Sequence, residues 1–117
     1  MYESPGLVTI APDVLIAIAR LTTLSIPGVV RMAPTGIQGF LRRGAPEGVL
    51  VQMSGDCVRY DLFIVADADT NLRQVGHKIQ AEVARATRDM VGMDIEAINV
   101  HIQDVAFPEL EQATGSP

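Results

Sequence analysis

Apolar residues fall along the chain in short alternating runs broken by Pro and Gly, and in two longer stretches with helical spacing. Leu7–Ile10 reads as a first short strand, set off by Pro5-Gly6. Ala11-Pro12-Asp13 then starts a helix, because Pro suits the first helical position and Asp13 faces the positive end of the dipole. That helix is predicted to run to about Leu24, ended by Pro27-Gly28, and Val29–Met32 follows as a second strand. Val49–Ser54 and Cys57–Ala66 flank Gly55-Asp56 and predict a hairpin. A last strand covers Ile95–Val105, where Ile98, Val100 and Ile102 alternate with Asn99, His101 and Gln103.

The best-defined element is the helix predicted from Leu72 to Val91. At 100° per residue, Leu72, Val75, Gly76, Ile79, Val83, Ala86 and Met90 share one face, predicted to lie against a sheet. Arg73, His77, Lys78, Arg85 and Arg88 fall opposite, with Lys78–Glu82 and Arg85–Asp89 spaced as ion pairs. Asn71 is the expected N-cap, and Gly92 fits the left-handed position after the last turn.

The resulting order is β-α-β-β-β-α-β. It predicts a two-layer α/β sandwich, a mixed or antiparallel sheet with both helices on one face. Residues 1–6 read as a lead, 7–107 as one domain and 108–117 as a flexible tail. Ala33–Gly48 is a Gly- and Pro-rich loop, long for a compact domain, which marks it as mobile or functional.

Composition narrows the function classes. The 117 residues carry a formal charge of −5, so general nucleic-acid binding is disfavoured by repulsion from phosphate. A single cysteine excludes an internal disulfide. No signal-like start is visible, and the longest apolar run, Val14–Ala19, falls far short of the roughly 20 residues that span a bilayer. These features predict a cytoplasmic protein whose membrane association runs through a partner or a surface contact.

The candidate chemistry is sparse. Asp67-Ala68-Asp69-Thr70-Asn71 begins like a calcium loop, but Leu72 and Lys78 stand where that loop needs Gly and Glu. A polar turn capping the following helix is the stronger reading. Gly36-Ile37-Gln38-Gly39 with Arg42-Arg43 matches the GxxG loop that clamps single-stranded nucleic acid, but a strand and Pro34 precede it where that motif needs a helix. Cys57 has no base in sequence reach, and His77 has no ligand four residues on, so neither a nucleophile nor a metal pair is indicated. No cofactor is called for. Asp61 and His101 would meet only if their strands are neighbours.

The first helix is more informative. Val14, Leu15, Ala17, Ile18, Leu21, Thr22 and Leu24 leave only an arc near Ile16, Arg20 and Thr23 outside its apolar surface. One sheet contact needs about a third of the circumference. The excess points to packing on the second helix, or to a contact with another molecule centred on Ile16, Arg20 and Leu24. Failing that, the expected interaction surface is the polar sheet face around Arg59, Asp61, Phe63 and His101.

Several stretches occur in an order that resembles the alkaline-shock, or general stress, protein family of Gram-positive bacteria. They are Gly6–Ile10, Val14, Ile18-Ala19 and Ile26–Val29; Gly48-Val49 and Tyr60–Val65; and Asn71-Leu72, Val75, Ile79-Gln80, Val83 and Ile98–Ile102. Ala11 replaces the hydroxyl residue common before the first helix, and Asp69-Thr70 stands where a Gly is usual. The resemblance implies a non-enzymatic scaffold in envelope homeostasis or stress tolerance. It also implies self-association into a homo-oligomer and a membrane-anchoring partner. A role as accessory regulator, bound to an enzyme of lipid metabolism, is the alternative it offers.

Overall fold

A computed structural model describes residues 5–34 and 48–107. The chain forms an α/β domain with α1 (Pro12–Leu24), β1 (Val29–Met32), β2 (Val49–Ser54), β3 (Cys57–Asp67), α2 (Leu72–Val91) and β4 (Asp94–Ala106). β3 is the axis of a mixed four-stranded sheet: β1 and β2 pair with it antiparallel, while β4 runs parallel to it along its whole length.

β1 and β2 share one edge of β3 end to end. Met32 lies opposite Ile64 and Val49 opposite Leu62, so β2 continues the line of β1. Phe63 ties the junction, donating its N–H to the Gly48 carbonyl and accepting from Ala33 N–H, both at 2.8 Å. Gly48 takes φ +77°, and a Cβ there would lie 2.8 Å from both Met32 Cβ and the Phe63 carbonyl oxygen. Glycine is therefore required where the chain enters β2.

Period-two alternation decides what the sheet buries. Val58, Tyr60, Leu62 and Ile64 are completely buried and join Leu15, Ala19, Val75, Ile79 and Val83 of the helices in one core. Inside it, the Tyr60 hydroxyl and Thr87 Oγ1 share a hydrogen bond of 2.9 Å. The intervening residues Arg59, Asp61 and Phe63 lie on the other face. There a smaller cluster of Ala33, Val65 and Ala106 packs with Phe63.

Capping follows the sequence in both helices. The Asn71 side chain accepts from Gln74 N–H at 3.0 Å, and Gly92 closes the helix at φ +72°. Ala11 gives α1 no side-chain cap, and Pro12 in the first turn leaves one fewer N–H to satisfy.

Three expectations need correction. Leu7–Ile10 is not a strand: it carries no secondary structure, and Leu7 and Val8 are about nine-tenths exposed. Nothing among the described residues pairs with it, although its composition suits a strand. Met90 does not face the sheet but is 71% exposed, and Thr87 takes the buried place instead. The buried line 75-79-83-87 advances in steps of four residues, so it winds about the helix away from a fixed stripe. Arg85 pairs with Glu82, one turn back, so among the described residues neither expected pair, Lys78–Glu82 or Arg85–Asp89, forms.

Candidate functional site

The parallel pairing of β3 with β4 sets Phe63 beside His101 and Asp61 beside Asn99 on the face away from the core. Asp61 is the hub. Its Oδ1 accepts from His101 Nε2 at 3.0 Å and from Asn99 Nδ2 at 3.2 Å, while Arg59 Nε lies 3.9 Å from Oδ2. The Phe63 and His101 rings stack with centroids 4.6 Å apart and planes 16° off parallel. The structure thus brings together Arg59, Asp61, Phe63 and His101, and adds Asn99. The signal for Asn99 was its place two residues before His101, on the same side of the strand.

This cluster is half open to solvent, the side chains of Arg59, Asp61 and His101 being 44%, 25% and 41% exposed. Its ion pairs are therefore of the weak surface kind. Chemically it offers a carboxylate whose lone pairs are largely engaged, an imidazole and an aromatic face. Cys57 sits four residues from Asp61 along β3, roughly 13 Å at the ordinary strand rise, too far for a thiol–imidazole pair with His101.

The other residues fall apart from this face. Ile16 is half-buried and packs against the core, Arg20 is half-buried, and Leu24 is 38% exposed. Thr23, expected on the open arc, is fully buried, and its Oγ1 has no partner among the described residues. α1 packs against α2 as well as the sheet, and this turns Val14 and Leu21 outward, 44% and 59% exposed. With Ala17, Ile18, Thr22 and the exposed Met90 of α2 they line a shallow apolar depression of about 480 Å³. A wheel drawn for α1 alone shows the apolar surplus but not which part of it stays bare, because the direction of the second helix is absent from it.

The Asp67–Asn71 segment is a polar turn. Asp67 Oδ1 accepts from Asp69 N–H at 2.8 Å, and Asp67 carbonyl oxygen from the Thr70 hydroxyl at 2.6 Å. Among the described residues, no group of three His, Cys, Asp or Glu side chains is placed to hold a metal. Gly36, Gly39, Arg42 and Arg43 lie outside the described residues; the segment that carries them departs after Ala33 and Pro34 and returns at Gly48, beside Phe63.

The family model of the alkaline-shock proteins, described as having a "cell envelope-related function", matches residues 1–107. The chain belongs to the alkaline-shock protein family. YloU of Bacillus subtilis (strain 168) is 24% identical over 106 residues, covering 86% of this chain and 88% of YloU. Spy1535 of Streptococcus pyogenes serotype M6 is 27% identical over 105 residues, covering 88% of this chain and 81% of Spy1535. Among solved structures, MamM-CTD 215-293 superposes with a TM-score of 0.52 at 16% identity, over 80% of this chain and 99% of that one. The manganese form of MamM CTD E289D gives a TM-score of 0.51 at 16% identity, over 80% and 99% of the two chains. This likeness shows a shared fold. The family supports the resemblance drawn from the sequence and gives the chain a cell envelope-related role.

Proposed function

We propose that this alkaline-shock family domain is a non-catalytic interaction module of the cell envelope that associates with further copies of itself. The observation that carries this reading is the bare apolar patch of Val14, Leu21 and Met90 on the helix layer. Large apolar side chains clustered on a surface favour contact with another protein. The net charge of −5 opposes self-contact, but at physiological ionic strength exposed charges are screened beyond about 8 Å. Apolar contact at short range then prevails, and association strengthens with salt. A membrane-anchoring partner would hold the module at the envelope; among the described residues no helix is long and apolar enough to cross a membrane.

Changing Val14 and Leu21 together to Lys tests the patch. Both side chains are substantially exposed, so the fold should survive while the assembled mass in sedimentation falls toward the monomer. A double variant that folds and still assembles like the wild type would remove the patch from the account.

A further inference from the structure

Two unsatisfied features of the fold are complementary. The first is the segment Leu7–Ile10, whose sequence is that of a strand and whose main chain forms no strand pairing. It is rooted at Ile10, which packs against the core, yet Leu7 and Val8 project with 92% and 90% of their surface exposed. The second is β4. Its partner β3 occupies one side, and no described strand pairs with the other. At that free side the Gln80 amide donates to the Ile98 carbonyl at 3.0 Å. Because strand residues alternate their hydrogen-bonding side, Val100 and Ile102 present their main-chain groups the same way as Ile98.

Beside this edge runs a groove of about 340 Å³ between α2 and β4, with Leu72, Gly76, Val100 and Ile102 in its lining. Gly76 sits inside a 20-residue helix, where glycine is unfavourable relative to alanine, and a Cβ there would meet nothing within 4 Å. The groove therefore has room for side chains from above the edge. Residues 7–10 carry no charged side chain and Arg73 is the charged residue of the groove lining, so the arm itself meets no like charge there; the exposed acids of β4, Asp94, Glu96 and Asp104, lie outside that lining.

We propose that Leu7–Ile10 of one copy adds as a strand to the free edge of β4 in a second copy, with alternate side chains entering the groove beside Gly76. Main-chain hydrogen bonds would supply the attachment and the alternating side chains the register, as in other strand additions. The contact also covers a long edge that would otherwise invite unspecific pairing. It rests on the self-association proposed above and names one of its contacts.

The test uses the full chain and two kinds of variant. Val8→Pro disables the arm by removing a main-chain N–H at an exposed position, and Leu7→Asp is a second arm variant with the N–H kept. Gly76→Glu fills the groove of the acceptor, and Gly76→Ala serves as its control, because a methyl group fits. Circular dichroism and thermal melts establish that each variant folds. In sedimentation at moderate salt, Val8→Pro, Leu7→Asp and Gly76→Glu should each raise the apparent dissociation constant at least tenfold, and Gly76→Ala should not. Mixing Val8→Pro with Gly76→Glu leaves one intact arm and one intact edge, and should restore a one-to-one pair. A wild type that assembles, with arm and groove variants indistinguishable from it, would overturn this contact while leaving the proposed function standing. Failure of the mixture to pair would overturn it too, and so would an arm that protects the β4 edge of its own copy in hydrogen exchange of a monomer. A wild type that is monomeric throughout overturns both proposals.

Discussion

The Tyr60–Thr87 hydrogen bond is the one polar link inside the core among the described residues, and it gives a quantitative test of the helix–sheet packing. Both side chains are fully buried and their oxygens are 2.9 Å apart. Thr87→Val keeps the shape and strands the phenol hydroxyl without water, at a cost of about 1–3 kcal/mol. Tyr60→Phe leaves the Thr87 hydroxyl, which can turn to a carbonyl one turn back in its own helix, so about 0.5–1.5 kcal/mol is expected. The double variant removes both polar groups. It should be less destabilised than the sum of the singles, with a coupling of about 1 kcal/mol. Urea denaturation followed by circular dichroism measures all four corners of the cycle. Additivity within about 0.3 kcal/mol would refute the contact, since independent sites behave that way. The pair also predicts a pH dependence. Burial raises the Tyr60 phenol above its ordinary value of 10.0, the Thr87 bond opposing it only in part. The folded state thus holds this proton more tightly than the unfolded one. Its contribution is complete below pH about 10 and is lost as pH rises toward the raised value. The wild type should therefore lose stability above pH about 10 more steeply than Tyr60→Phe.

Other perturbations probe the frame around that contact. Ile79→Ala, at a fully buried position of α2, should cost about 2–5 kcal/mol in chemical denaturation; a loss under about 0.5 kcal/mol would mean the helix face is misplaced. Gly28→Ala should cost more than about 1 kcal/mol, because φ there is +102° and the added Cβ would lie 2.7 Å from Val75 Cγ2; an unchanged melting temperature would contradict that packing. His101→Ala should change stability by less than about 1 kcal/mol, given the half-exposed surroundings of Asp61, and a larger loss would show that the open-face cluster holds the sheet together.

Local chemistry made much of the fold legible. Val29–Met32 and Val49–Ser54 have the bounds expected from alternation, and α2 is delimited by the Asn71 side-chain cap and by Gly92, whose missing Cβ permits the left-handed turn. What needed the structure was the pairing of distant elements. His101 and Asp61 are 40 residues apart, and only the parallel alignment of β4 on β3 makes them neighbours. The same holds for α1. Its apolar surplus was visible, but the part left bare depends on where α2 lies, which half-buries Ile16 and leaves Val14, Leu21 and Met90 exposed, with Leu24 also open. Leu7–Ile10 is the instructive failure: strand composition states a capacity for pairing, and a partner within the chain is a separate requirement.

Self-association is the central claim, and the weight-average mass of the wild-type chain against concentration tests it most directly. Sedimentation equilibrium at about 0.15 M salt, and again at higher salt, should show masses rising above the 12.6 kDa of one chain, with the rise steeper at the higher salt as screening relieves repulsion between acidic copies. A mass that stays at 12.6 kDa across the whole concentration range at both salts would contradict the account.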